Sequence, residues 1–321
     1  MLVTLFLIAL GPYPGLPEGY GLSAAHPFDR GLRSHPAVLL MEDFEEGALD
    51  DLAHRWESVS NRRGRVFSFV DETPVAGAGR RSLRLTATPG DDDGGHLYTR
   101  LPYGVDRLFL RFYVKFPDPP NYVHHFVTLG GYHPGTAWPQ GGAGERPRGD
   151  DRVTVGIEPF GRSGEAPPPG DWNFYAYWHE MKPSADGRFW GNGLWPEQRQ
   201  PVPADRWQCV EVMLQLNRPG DRDGRLALWL DGRLVADFHE GVRRGPWTGL
   251  GFVLDPSGDP FEGFDFRTTD RLKVNFVWML HYVTVENQRR NRVSPERPTV
   301  VLFDQIVAAT EYIGPICVGR P

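Results

Sequence analysis

Between Arg107 and Phe116 the chain alternates without a break. Leu108, Leu110, Phe112, Val114 and Phe116 fall on one side of an extended backbone, and Phe109, Arg111, Tyr113 and Lys115 fall on the other. A period of two belongs to a strand, whereas an amphipathic helix repeats its apolar face about every 3.6 residues. Similar short runs recur at Ser82 to Ala87, Arg152 to Phe160, Trp207 to Leu216, Arg225 to Leu230 and Thr299 to Thr310. Asp231-Gly232 is a two-residue hairpin signal that folds Arg233 to Phe238 back onto the preceding strand. No stretch carries several turns of helical periodicity. The 38 glycines and 30 prolines among 321 residues supply turns without a collagen-like period. Many short strands with few helices predict an all-β sandwich, a jelly roll with long loops, formed as a single domain over residues 37–321. Residues 1–36 read as a separate leader or linker, because Gly11 to Pro36 is rich in proline and glycine and has no period.

The formal net charge is −6 and no long basic run occurs, so a nucleic-acid footprint is not supported. A local cationic groove is still compatible with an acidic whole. Leu2 to Leu10 is apolar but too short to span a bilayer. It has the form of a signal-peptide core, with Ser23-Ala24-Ala25 as the candidate cleavage neighbourhood, although no Lys or Arg precedes it. The expectation is therefore a secreted or extracytoplasmic protein without a transmembrane segment. The two cysteines, Cys209 and Cys317, make no metal-ligand pattern. They either pair or remain small buried thiols.

The stretch Trp172 to Met181 contains no Gly or Pro and is dense in aromatics, which favours a strand. In that conformation Asn173, Tyr175, Tyr177 and His179 share one face, and Phe174, Ala176 and Trp178 share the other. Two phenols, an amide and an imidazole in a row can stack on sugar rings, donate hydrogen bonds and move protons. The competing reading is an interior strand whose tyrosines merely satisfy their hydroxyls.

The run from Trp207-Gln208-Cys209-Val210-Glu211 through Leu216-Asn217-Arg218-Pro219-Gly220 continues into Leu228-Trp229-Leu230-Asp231-Gly232-Arg233-Leu234-Val235. It resembles the concanavalin A-like jelly-roll polysaccharide lyases, in particular the alginate and glucuronan lyases. Glu42-Asp43-Phe44-Glu45, Arg111 to Pro117 and Phe303 to Val307 fit the same comparison, which spans Val38 to Ile316 and is strongest between Trp207 and Val235. The hairpin motif is specific for the fold, and lectin-like modules share it, so it does not assign an activity. The resemblance implies a sheet that binds a uronic polymer, with a Tyr-x-Tyr pair on an inner strand for proton transfer; Tyr175-Ala176-Tyr177 matches that pattern. A lysine-bearing segment of the alginate-cleaving relatives corresponds here to Val127 to Tyr132, which contains no lysine, so the charge-neutralising cation is unassigned.

β-Elimination on a uronate requires a cation or donor set for the carboxylate, a base for the C5 proton and an acid for the departing oxygen. Tyr175, Tyr177 and His179 are the expected proton handlers. His124 is preferred to His125, which alternates with Val127 and Leu129. Arg111, Tyr113, Lys115, Glu158, Asn173 and Trp190 are the expected substrate contacts. Each has a plainer alternative: Arg111 and Lys115 as a solvated face, Glu158 as an exposed strand carboxylate, Trp190 and Trp195 as the interior of their own loop. No cofactor is required, although Asp304 could join the Glu42-Asp43-Phe44-Glu45-Glu46 stretch around a structural calcium. The paired carboxylates of a glycoside hydrolase are absent from any one strand. The alternative to a lyase is a non-catalytic carbohydrate-binding or cell-surface module.

Overall fold

The computed structural model describes residues 13–138, 142–249, 251–295 and 297–319. Two large, mainly antiparallel sheets face each other across one core, as the alternating strands predict. The first, the groove sheet, runs in the order Gly251–Val253, Asn192–Trp195, Asp171–Tyr177, Arg152–Phe160, Thr128–Tyr132, Val274–Tyr282, Gly94–Val105, Ser58–Ser60. The second, the back sheet, runs Arg233–Phe238, Arg225–Leu230, Gln208–Gln215, Arg107–Lys115, Thr299–Ala309, Ser82–Ala87, Phe67–Val70, with Val38–Glu42 also paired to Thr299–Ala309. This is an all-β jelly roll.

The inward side chains are those the alternation selects. Val153, Val155, Ile157, Phe174 and Ala176 from the groove sheet meet Leu108, Leu110, Phe112 and Val114 from the back sheet, all of them buried. Burial of this apolar layer is the main force holding the sheets together.

The other face of the back sheet is also covered, which the alternation could not disclose. Residues 13–36, expected to be a detached linker, instead lie as a strap across it. Leu32 is fully buried, and Leu16 and Leu22 pack beside it against a cluster containing Phe109, Met213, Trp229 and Tyr312. Nε1 of Trp229 donates to the Pro17 carbonyl at 2.7 Å, and the amide of Gly19 donates to Gly232 at 2.9 Å. Ser23, in the expected cleavage neighbourhood, is fully buried and donates to Asp29 at 3.1 Å. The domain therefore begins well before residue 37. The Leu2 to Leu10 run lies outside the described residues.

The strap explains Arg111. Its guanidinium is fully buried, pairs with Asp29 of the strap, and donates to the Gly314 carbonyl at 3.2 Å. Cys209 and Cys317 are both buried and free. No helix among the described residues is long and apolar enough to cross a membrane.

Candidate active site

Register decides what faces the groove. Thr154, Gly156 and Glu158 stand opposite Tyr177, Tyr175 and Asn173 on the neighbouring strand. Directly opposed residues on antiparallel strands point to the same side. With Phe174 and Ala176 committed to the core, both phenols must look outward. They line a groove of about 550 Å³ together with His125, Glu158, Arg152 and Arg62.

The phenolic oxygens of Tyr175 and Tyr177 lie 3.3 Å apart, with the rings edge to face. Burial raises the pKa of both, and in Tyr175 the charge of Tyr177 adds to it, so both phenols are neutral acids at rest. The backbone of Gly191 approaches them and acts in the opposite direction through a hydrogen bond. Only glycine permits this approach, since a Cβ there would sit 2.5 Å from the Tyr175 ring.

Nδ1 of His125 lies 2.9 Å from Oε1 of Glu158, and its ring centroid lies 5.2 Å from that of Tyr175. Burial lowers the His125 pKa, but the charge of Glu158 and the hydrogen bond to it outweigh that, and the net shift is upward from 6.5. The Glu158 carboxylate holds the proton on Nδ1 and leaves Nε2 as the reactive nitrogen.

Farther along the sheet, on Gly94–Val105, His96 also lines the groove; it bonds the Ser58 hydroxyl at 3.0 Å and sits 5.7 Å from both Trp138 and Trp278. Burial, aided by the charge of Arg62, lowers its pKa to about 4, so the ring is neutral. Arg152, buried, donates to the Gly142 carbonyl at 2.8 Å, and the exposed Arg62 donates to the Gly94 carbonyl at 3.3 Å. These arginines, not a lysine, bring positive charge to the groove.

Several expectations are corrected. His124 does not line the groove with the phenols: it stacks on both His125 and Tyr282, bonds Thr284 at 3.0 Å, and has its pKa lowered to about 3 by burial and by His125. The preference for it assumed continuous alternation from His125 to Leu129. The regular strand begins only at Thr128, and Phe126 and Val127 are both buried in the core, so the parity breaks there. His179 leaves the face because its strand ends at Tyr177 and the chain turns; its Nε2 lies 3.4 Å from Asp265.

Arg111, Tyr113 and Lys115 belong to the back sheet and cannot contact a ligand in the groove. The Tyr113 hydroxyl accepts from the Ile316 amide at 2.8 Å, and Lys115 pairs with Glu72 and Asp205. Trp190 bonds Asp186 at 3.3 Å and covers Gly144. Asn173 is buried on the groove side, where it donates to the backbone carbonyl of Glu158 at 2.9 Å. The calcium expectation does not fit its residues. Glu42 accepts from Arg55, the Trp56 indole and the Phe44 amide, while burial raises the Asp304 pKa to about 9 and leaves it protonated. Among the described residues no group of three or more His, Cys, Asp or Glu is placed to hold a metal.

His125, Arg152, Arg62 and His96 were missed as site residues. A signal existed for Arg152, which shares the alternating face of Glu158. None existed for Arg62 or His96, which reach the groove from a short helical turn and a strand distant in sequence.

No protein-family model and no curated protein matches the sequence. Solved structures do match. Alginate lyase vAL-1 from a Chlorella virus superposes with a TM-score of 0.52 over 84% of this chain and 100% of that one, at 11% identity. The marine PL-14 alginate lyase from Aplysia kurodai gives 0.52 over 85% and 99%, at 13% identity. Alginate lyase Aly36B gives 0.50 over 92% and 98%, at 14% identity. The chain has the fold of the alginate lyases. That agrees with the resemblance drawn from the Trp207 to Val235 run. At such identities the likeness speaks for the architecture, and the chemistry has to be argued from the groove.

Proposed function

We propose that this protein is a polysaccharide lyase that cleaves a uronate-containing glycan by β-elimination. The observation that carries the reading is the convergence, in one groove, of a phenol pair 3.3 Å apart and an imidazole bound to a carboxylate at 2.9 Å. Three solved neighbours of the same fold are themselves alginate lyases, which supports the reaction class.

Arg152 and Arg62 lower the charge on the uronate carboxylate, which acidifies the adjacent C5–H. Nε2 of His125 takes that proton, with Glu158 fixing the tautomer and stabilising the imidazolium that forms. The C5–H electron pair becomes the C4–C5 double bond, and the C4–O pair leaves with the glycosidic oxygen. Tyr175, held neutral by burial, delivers a proton to that oxygen, and Tyr177 restores its hydrogen bond. A uronate polymer is met outside the cytoplasm, so this reading places the protein in an extracytoplasmic compartment.

The test is to incubate the purified chain with alginate, polyglucuronate and polygalacturonate and follow the ultraviolet absorbance of the unsaturated product. Retention of a polymer without any product from the panel would overturn the lyase and leave a binding module.

A further inference from the structure

Beyond the proton-handling groups the groove sheet continues for two more strands, and its outer face there holds a second cluster. Extending the pairing of Leu194 with Phe174 by one residue places Trp195 opposite Asn173, which stands opposite Glu158. Trp195 is thus on the same face as the catalytic groups, two strand spacings or about 10 Å from Glu158 along the sheet. Its ring lies over Gly193 and Gly251, at each of which a Cβ would come within 2.3 Å of it. Phe160, exposed, lies 5.8 Å from it between centroids.

Beside this aromatic floor, two arginines converge on one buried carboxylate. Nε of Arg199 and Nε of Arg162 lie 2.7 Å and 3.2 Å from the same Oδ2 of Asp171, whose register partner is Phe160. Asp171 answers both guanidiniums with a single buried oxygen, and the charge of the exposed Glu165 also acts on Arg199. The side chains of Arg199 and Arg162 are 50% and 31% exposed, so both guanidiniums are within reach of a ligand. Nε1 of Trp195 is buried without a partner among the described residues.

We propose that Trp195 and Phe160, with Arg199 and Arg162, form a distal subsite that holds a further uronate unit of the chain cleaved at Tyr175. The sugar face rests on the indole, and its carboxylate meets the arginines, a geometry that fits a planar anion. This rests on the lyase reading for the identity of the glycan, and the test below separates the two.

Wild type, Trp195→Ala and Arg199→Gln are compared for retention in affinity gels of alginate, polyglucuronate and polygalacturonate, and for kcat/KM on uronate oligomers of increasing length. Melting curves confirm folding, and Arg162 still pairs with Asp171 in Arg199→Gln. Expected are about tenfold weaker polymer binding for each variant and an equal loss of kcat/KM confined to the longer oligomers. On methyl-esterified polygalacturonate the Trp195→Ala loss persists and the Arg199→Gln loss disappears. Weakened binding with no product from any protein supports the subsite and sinks the lyase. Undiminished binding and unchanged length dependence in both variants, or no retention of any polymer by the wild type, overturns the subsite.

Discussion

The imidazole of His125 and the carboxylate of Glu158 share a 2.9 Å hydrogen bond across two segments of the groove sheet. The same Glu158 oxygen also accepts from the Phe126 amide at 3.4 Å. Glu158 therefore both sets the charge of the imidazole and anchors the irregular stretch that turns it toward the phenols. The chemistry and the local backbone depend on one residue.

Replacing that carboxylate changes the pH profile. Because Glu158 raises the His125 pKa against burial, Glu158→Gln lowers it. Wild-type kcat/KM rises as pH climbs through the raised His125 value, where Nε2 becomes a free base. In the variant this acid limb moves to lower pH, and the plateau falls by about 10²-fold or more. A pH–rate profile on a soluble uronate polymer reads both changes; an unmoved acid limb would exclude His125 as the base.

Tyr175→Phe retains the ring and removes its proton. We expect a drop of about 10²–10⁴-fold in kcat with KM nearly unchanged, since the loss is felt in the transition state. Its thermal midpoint stays close to wild type. Steady-state kinetics beside a melting curve distinguishes this from a folding defect.

The strap is tested at Asp29. Asp29→Ala leaves the Arg111 guanidinium buried without its carboxylate, at a cost of about 3–5 kcal/mol. Combining it with Arg111→Met recovers most of that loss. Urea denaturation at neutral pH measures both. A loss below about 1 kcal/mol would mean that the strap opens to admit water.

Asp304 carries an alkaline liability. Its pKa of about 9 in the fold exceeds the ordinary carboxyl value, so the folded state favours the protonated form. That contribution is complete below the unfolded pKa near 3.8 and is lost as pH rises toward 9. Asp304→Asn keeps an oxygen for the Gln305 amide and cannot ionise. The variant should match wild type near pH 4 and exceed it at pH 8–9 in denaturant titrations.

Much of the fold and of the groove is legible in the sequence. The alternation at Arg152 to Phe160 separated Val153, Val155 and Ile157 from Thr154 and Glu158, and the structure keeps that division. The phenols of Tyr175 and Tyr177 fall together for the same reason. His179 and His124 were misplaced because parity holds only while the strand does, and a turn after Tyr177 and a bend before Thr128 end it. Arg111 was misplaced differently. Its parity was right, but the face it occupies is closed by a strap whose Asp29 lies 82 positions earlier.

The amino-acid order by itself determined which side chains share a face, since a strand's geometry is local and its period is two. Only the tertiary structure decided which of those faces opens to solvent. Covering a sheet is a long-range event: it depends on where the strap and the groove's distant strands come to rest, and no local pattern encodes that.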